Sequence, residues 1–160
     1  MQKRFLLVAA NIFILLLAGC GYKLINPSQK TVYVEPFSNF TIQPEIDLYL
    51  VKNLKKTLAQ SVGFMVVSNK KDADIIIRGM IHKFIRNPEF IAGSDNLIMA
   101  SYRIKVIVEI EKENQTRQKE IEQTYFLELS EKLNTQQLLE IISNRISQDI
   151  YLKLIEENEK

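Results

Sequence analysis

Hydrophobic and polar residues alternate along four stretches of this chain, which is the pattern of β-strands that bury one face, and a fifth stretch, 64–67, is a short apolar run that suits a short strand. The predicted strands are 31–37, 64–67, 74–86, 97–112 and 117–128. In the stretch 97–112, apolar residues from Tyr102 to Ile110 share one face, while charged residues such as Arg103 and Lys105 share the other. This stretch and the next flank a turn at 113–116, so they predict a β-hairpin.

The stretch 74–86 is rich in β-branched residues and predicts a central strand. Strict alternation puts the odd-numbered residues from Ile75 to Ile85 on one face and the even-numbered residues from Ile76 to Phe84 on the other. His82 falls within this pattern, which favours an ordinary strand side chain over a base or a metal ligand. The residues after it, 87–96, include Pro88 and Gly93 and predict a loop of about ten residues.

Two further stretches carry apolar residues at helical spacing. The first helix is predicted to start near Pro44 and to end at Gly63, with an apolar stripe at Ile46, Leu50, Leu54 and Leu58. Asn134 and Gln137 predict a capping box for the second helix. Its stripe is Leu138, Ile142, Ile146 and Ile150, with Leu139 and Leu154 beside it, and its charged end, 156–160, is expected to fray.

The order of these elements predicts one α+β domain over residues 31–155. The simplest arrangement is a two-layer sandwich, in which two amphipathic helices pack on one face of a mixed four- to five-stranded sheet. The other face of the sheet is then wetter and carries the charged residues of the hairpin.

The N-terminal residues predict a secretory signal. Lys3 and Arg4 precede a 13-residue apolar run, 5–17, which would reach only about 20 Å as a helix, against the roughly 30 Å that a membrane span requires. Ala18 and Gly19 then lead into Cys20, a pattern that resembles the lipobox of bacterial lipoproteins. We therefore expect residues 1–19 to be cleaved, Cys20 to carry a lipid that anchors the protein to a membrane, and residues 20–30 to form a short tether.

Composition narrows the class of function. Removing residues 1–19 lowers the number of Lys and Arg from 21 to 19, equal to the 19 Asp and Glu, and a neutral chain argues against general nucleic-acid binding. One cysteine and one histidine cannot build a disulfide framework or a multi-ligand metal site. With no phosphate loop or nucleophile elbow, the sequence predicts no enzyme, no cofactor and no metal.

Ligand binding is a better candidate function for this chain than catalysis. The basic residues expected near one end of the sheet are Lys83, Arg86, Arg103, Lys105 and Lys132. Together they could bind phosphate groups, since guanidinium groups pair bidentately with phosphate and ammonium groups add charge. Two alternatives stay open: the charges are scattered over the surface, or the hairpin face and its tyrosines dock against another protein.

Several parts of the chain together resemble one family. They are Cys20, Gly21 and Tyr22, the strand 32–37 with Pro36, the run 73–79 and the strand that contains Tyr102. This combination is similar to the lipopolysaccharide-assembly lipoproteins, the LptE family, over essentially the whole mature chain. The resemblance implies a non-enzymatic outer-membrane lipoprotein that plugs the LptD β-barrel, helps it assemble and contacts lipopolysaccharide.

The resemblance also implies partners and site residues. The partners would be an LptD-like barrel, lipopolysaccharide and, through the lipid on Cys20, the outer membrane, with the domain facing the periplasm or lying inside the barrel lumen. Lys132 corresponds to a lipopolysaccharide contact of the family, and Arg86, Lys83 and Arg103 are further candidates. The alternative function is a lipid-anchored scaffold or adaptor subunit of another envelope complex.

Overall fold

The structure, a computed structural model, describes residues 29–90, 97–128 and 134–158. Its elements are β1 (Lys30–Val34), β2 (Ser38–Asn39), α1 (Ile46–Gln60), β3 (Phe64–Val66), a 3-10 turn (Lys70–Asp72), β4 (Ile75–Phe90), β5 (Leu97–Lys112), β6 (Gln115–Glu128) and α2 (Thr135–Asn158). The predicted signal segment, Cys20, the tether as far as residue 28, and Lys132 lie outside the described residues.

Six strands form one mixed sheet within the described residues, in the order β3-β1-β4-β5-β6, with β2 on β4 beyond the end of β1. β1 runs parallel to β3 and to β4, whereas β4, β5 and β6 run antiparallel to one another. The predicted α+β sandwich is confirmed. The sixth strand is the two-residue β2, which lies in the polar stretch 38–43 between the first predicted strand and the first predicted helix, where the sequence favours a loop.

Both helices cover the same face of the sheet. α1 buries Ile46, Leu50, Leu54 and Leu58, and α2 buries Leu139, Ile142, Ile146, Ile150 and Leu154. The sheet side of the core comes from alternate residues of β1, β4 and β5, including the whole predicted row from Tyr102 to Ile110. Each fully buried aliphatic side chain contributes about 1.5–3 kcal/mol of transfer free energy, so this layer dominates the stability of the fold.

A β-bulge at His82 corrects the predicted face assignment of β4. Ile81 pairs with Val106, but Lys83 pairs with Lys105, so His82 has no partner on β5. One extra residue turns every later side chain to the opposite face. Beyond the bulge Phe84 packs towards the helices, and Lys83 and Ile85 lie on the face without helices, which we call the open face.

The structure also differs from the predicted end of β4 and from the predicted length of the hairpin turn. The predicted loop 87–96 is wrong for residues 87–90, because β4 stays paired with β5 through Phe90 despite the turn-forming Asn87 and Pro88. Residues 91–96 lie outside the described residues. In the hairpin, the turn is only Glu113 and Asn114, with φ of 51° and 62°, the backbone of a two-residue turn that matches the twist of the strands.

The start of α2 agrees with the sequence prediction, whereas the start of α1 and the end of α2 differ from it. At α2, the predicted capping box is confirmed: Gln137 N–H donates to Asn134 Oδ1 at 2.8 Å, and Asn134 N–H donates to Gln137 Oε1 at 3.1 Å. α1 begins at Ile46, later than predicted, because Glu45 adopts a left-handed backbone with φ of 64°. The predicted fraying from Glu156 is not seen over 156–158, which are helical.

Polar contacts attach α2 to the edge strand β6. The side chain of Glu157, only 8% exposed, pairs with Lys119 at 2.5 Å and with Arg117, two residues on the helix-covered face of β6. About two turns earlier in α2, Asp149 Oδ2 accepts a hydrogen bond from the Tyr125 hydroxyl at 2.8 Å. Burial together with this bond raises the pKa of Tyr125. These contacts explain why the charged end of α2 stays helical.

We predict that Gly79→Ala destabilises the fold, because a Cβ at this position of β4 would overlap the ring of buried Phe37. The expected loss is about 1–3 kcal/mol in the free energy of unfolding, measured by urea titration. Gly63→Ala is the matched control, since nothing lies within 4 Å of its added Cβ. Equal effects of the two substitutions would contradict the close packing of Phe37 on Gly79.

A second prediction concerns pH. Hydrogen bonds from Lys119 and Arg117 lower the pKa of Glu157 from 4.5 to about 2. Since the folded pKa is the lower one, the pair stabilises the fold above the unfolded pKa, and this contribution is lost as the pH falls from about 4.5 towards 2. Glu157→Gln should therefore destabilise the protein at neutral pH and do so less at about pH 3, as measured by urea unfolding.

The matched control for this pH series is Glu156→Gln, which makes the same charge change on a glutamate whose side chain is 59% exposed and pairs only with Lys153 on the same helix. We expect it to change stability little at either pH. A Glu157→Gln effect that is the same at both pH values would contradict the assigned ion pair.

Candidate functional site

The bulge at His82 divides the predicted basic cluster between two faces of the sheet. Lys83, Arg103 and Lys105 lie on the open face, where Lys83 is directly opposite Lys105 in the β4–β5 pairing. Arg86 pairs with buried Tyr102 and so lies on the helix-covered face. Lys132 lies outside the described residues. The four described residues share one end of the sheet, as predicted, but they do not form one cluster.

On the open face, glutamates of β6 compensate two of the three basic residues. Lys105 Nζ lies 2.7 Å from Glu120 Oε1, and this bond raises the pKa of Lys105. Lys83 Nζ lies 4.0 Å from Glu122 Oε1, at the limit of an ion pair. Arg103 has no ion pair within the described part of the chain. The charge of this face is therefore mixed rather than strongly basic.

Arg86 lies in a different environment, a cavity of about 420 Å³ at the end of the helical layer. The cavity is lined by Ile42, Gln43, Phe84, Ile85, Arg86, Tyr102, Thr135 and Leu138. Its walls come from the loop before α1, from β4 beyond the bulge, from β5 and from the first turn of α2. Most of them are apolar, and its size falls in the range of small-ligand sites.

The charge of Arg86 is uncompensated by the residues that the structure describes, because none of their carboxylates forms an ion pair with it. Thr135, the first residue of α2, also lines the cavity, so the partly positive end of that helix lies at the same wall. An apolar cavity with one guanidinium and no ion-pair partner among the described residues suits a ligand that has both an apolar part and an acidic group.

A second cavity, of about 630 Å³, lies at the opposite end of β4. Its lining includes both basic and acidic residues, among them Lys30, Asp74, Glu111, Lys112 and Glu113. The Asp74 carboxylate accepts hydrogen bonds from the Thr31 N–H at 2.8 Å and the Thr31 hydroxyl at 2.7 Å, which lower the pKa of Asp74. Glu111 pairs with Arg78 at 2.6 Å. These carboxylates serve the fold, so we favour the Arg86 cavity as the functional site.

Across residues 29–90, 97–128 and 134–158, no three His, Cys, Asp or Glu side chains come together as metal ligands, and no helix there is long and apolar enough to cross a membrane. His82 is exposed at the bulge, and its ring stacks on Phe40 with centroids 5.6 Å apart.

Comparison with protein families decides the assignment. The family model described as lipopolysaccharide-assembly, LptE, matches residues 29–154. The chain belongs to the LptE family. The match covers all the strands of the described sheet, the whole of α1 and α2 as far as residue 154, and it confirms the resemblance that the sequence carries. It makes the chain a lipopolysaccharide-assembly protein. No curated protein matches the chain by sequence.

Several solved structures are similar to this chain. The hypothetical protein CT253 from Chlamydia trachomatis is similar with a TM-score of 0.56 and 10% identity, over 79% of this chain and 95% of that one. Protein XCC0632 from Xanthomonas campestris has a TM-score of 0.54 and 10% identity, over 82% and 89%. Rare lipoprotein B from Shewanella oneidensis has a TM-score of 0.48 and 10% identity, over 79% and 96%. At 10% identity, the likeness to the first two structures shows the fold alone.

The sequence identified Arg86 as a candidate contact residue, but it did not predict the cavity around Arg86. Ile42 lies in the polar stretch 38–43, which favours a loop, and strict alternation places Phe84 on the face opposite Ile75 and Ile81. The one local signal is that Phe84 and Arg86 continue the buried face only if a residue near His82 is skipped. Nothing in the sequence states that such a skip occurs.

Proposed function

We propose that this LptE-family protein is a non-enzymatic lipoprotein of the outer membrane, which plugs an LptD-like β-barrel, assists its assembly and contacts lipopolysaccharide during delivery to the cell surface. The match to the family over residues 29–154 is the observation that carries this proposal. The anchor would be a lipid on Cys20, nine residues before the first described residue, Gln29. The domain would then lie within about 30 Å of the membrane, since extended chain spans at most about 3.3–3.6 Å per residue.

The shape of the domain supports a role as a barrel plug. One face of the sheet is covered by helices, and the other face carries ion pairs beside exposed apolar side chains such as Ile85 and Phe126. On that face Arg78 binds Glu35 at 3.2 Å and Glu111 at 2.6 Å, and Lys70 binds Glu35 at 2.7 Å. The bonds from Lys70 and Arg78 lower the pKa of Glu35. Ion pairs of this kind on the open face suit the polar interior of an outer-membrane barrel.

The cavity with Arg86 supports the contact with lipopolysaccharide. Lipopolysaccharide combines phosphate groups with acyl chains, and the cavity combines an uncompensated guanidinium with apolar walls. Lys132, two residues before the Asn134 cap of α2, adds a basic residue on the chain segment that leads into the cavity wall at Thr135. Lys83 and Arg103 on the open face are further contacts in this proposal, with Lys83 already close to Glu122.

The barrel partner is tested by affinity purification of the tagged, lipidated protein from detergent-solubilised membranes, with mass spectrometry of the proteins that accompany it. We expect a large β-barrel protein in stoichiometric amount, because a plug is enclosed by its barrel. The untagged strain, processed in the same way, is the control. Recovery of the protein alone would contradict the plug, and recovery with a different envelope complex would favour a scaffold or adaptor subunit instead.

The contact with lipopolysaccharide is tested by comparing two arginines at the same end of the sheet. Arg86→Gln should weaken binding of lipopolysaccharide by roughly tenfold or more, since a hydrogen bond to a charged group contributes about 1.5–3 kcal/mol. Arg103→Gln, the same change on the open face, should have a smaller effect, and Lys132→Asp should weaken binding without unfolding the domain. Unchanged binding by both Arg86→Gln and Lys132→Asp would contradict the proposed site.

A further inference from the structure

The strand β6 forms one edge of the sheet, because no further strand pairs with it within the described residues. It pairs with β5 without interruption, from Gln115 opposite Lys112 to Glu128 opposite Met99. The strand is 14 residues long, whereas β3 at the other edge has three residues. A long edge strand offers unpaired backbone N–H and C=O groups, which can pair with another polypeptide.

The hairpin turn decides which residues of β6 offer these groups. In a two-residue turn, here Glu113 and Asn114, the flanking residues Lys112 and Gln115 form a hydrogen-bonded pair. Hydrogen-bonded and non-hydrogen-bonded pairs alternate along an antiparallel ladder. The odd-numbered residues of β6 therefore bond to β5, and the backbone groups of the even-numbered residues point away from the sheet.

Most of the features that protect edge strands from pairing are absent from β6. It contains no proline, and its pairing with β5 has no bulge. Its two basic residues, Arg117 and Lys119, are odd-numbered and bind Glu157 of α2 instead of guarding the edge. The Glu120 carboxylate pairs with Lys105 of β5 at 2.7 Å, which draws it towards the sheet. The edge is therefore open to pairing.

The helix α2 packs against one face of β6 and holds the strand in place. Its Glu157 and Asp149 bind Lys119 and Tyr125, whose side chains lie on the helix-covered face. Ile121, between these two residues, is buried. The strand is thus fixed along most of its length before a partner binds, which lowers the conformational entropy lost on binding.

The loops outside the described residues are too short to cover the middle of this edge. Residues 129–133 have to join Glu128 to Asn134, while Glu122 lies about 20 Å back along β6. A link of this length spans at most about 18 Å, so it cannot reach Glu122 and return. Residues 91–96 join β4 to β5, and the N-terminal segment enters at β1, which β4 and β5 separate from β6. These positions favour an occupant from another chain.

Charge disfavours a second copy of this chain as that occupant. In a two-fold antiparallel pairing of β6 with itself, the registers of greatest overlap are centred on Ile121 or on Glu122. The first places Glu120 opposite Glu122, and the second places Glu122 opposite its own copy. Like charges directly opposite each other destabilise a strand pair, whereas a basic residue opposite Glu122 would stabilise it.

We propose that the edge of β6 from Gln118 to Phe126 binds an extended segment of the protein's polypeptide partner as an additional strand. A basic side chain of that segment lies opposite Glu122, which is 4.0 Å from Lys83, and an apolar one lies opposite Phe126, which is 56% exposed. Backbone hydrogen bonds supply the affinity in this mode of recognition, and alternate side chains supply the specificity. The inference rests on the proposed barrel partner and deepens it, since it names the surface that the partner binds.

Residue-resolved hydrogen exchange tests this pairing, on the free lipidated chain obtained by overproduction and on the complex that co-purifies with the tagged chain. In the free chain, the N–H groups of Glu120, Glu122 and Thr124 should exchange rapidly, whereas β5 protects those of Ile121 and Gln123. In the complex, exchange of the even-numbered N–H groups should slow by at least tenfold, so that the alternation disappears.

Two substitutions at one residue separate the backbone from the side chain. Glu122→Pro removes an N–H that points away from β5, so the free domain should stay folded, as prolines are tolerated on edge strands. It should lower the recovery of the partner by at least tenfold. Glu122→Ala removes the same carboxylate but keeps the N–H, so it should lower recovery much less. Equal losses would contradict strand pairing. If circular dichroism shows that Glu122→Pro unfolds the free chain, the exchange pattern of the wild-type complex decides.

Two exchange results would overturn the inference and leave the proposed function in place. Protection of the even-numbered N–H groups in the free chain would mean that this chain or a second copy already covers the edge. Rapid exchange of these groups in the complex would place the partner on another surface. If no polypeptide accompanies the tagged chain, the barrel plug is contradicted, and this inference fails with it.

Discussion

The antiparallel pairing of β4 with β5 is the constraint on which the rest of the structure depends. It runs from Ile75 opposite Lys112 to Phe90 opposite Leu97, and it joins the parallel part of the sheet, β1 and β3, to the β5–β6 hairpin. Because side chains alternate along a strand, this one register decides which residues meet the helices and which meet solvent. The residue left unpaired at the first shift of this register, His82, has consequences at both faces.

Those consequences produce the candidate site. Without the bulge, Phe84 and Arg86 would lie on the open face beside the ion pairs of β6, and Lys83 and Ile85 would point into the helical layer. With it, Phe84 packs near Tyr102 with ring centroids 6.0 Å apart, and Arg86 joins an apolar cavity. Bulges next to binding sites serve this purpose in many sheets, since they re-aim a side chain without changing the strand.

The helical layer keeps its position through a mixture of apolar and polar contacts. The leucines and isoleucines of α1 and α2 supply most of the burial, and the carboxylates of Asp149 and Glu157 fix α2 against β6 by specific bonds. Ser147 donates to the Ser143 carbonyl at 2.7 Å within α2, and these two small buried side chains let α1 and α2 pack closely. The N-terminal turn of α2 is thereby held beside β4 and β5, where Thr135 and Leu138 complete the cavity.

The sequence by itself determined the elements, the two-layer α+β fold, the capping box of α2 and the family, because each of these depends on local spacing or on the order of patterns along the chain. The basic residues were also assigned to the correct end of the sheet. Only the tertiary structure decided that Arg86 and Lys83 lie on opposite faces, that residues 87–90 extend β4, and that Ile42 borders a cavity. The physical reason is that the stability of a bulge depends on the residues of the neighbouring strand, and that a cavity is formed by segments far apart in sequence. Neither feature therefore leaves a periodic signal in the residues that form it.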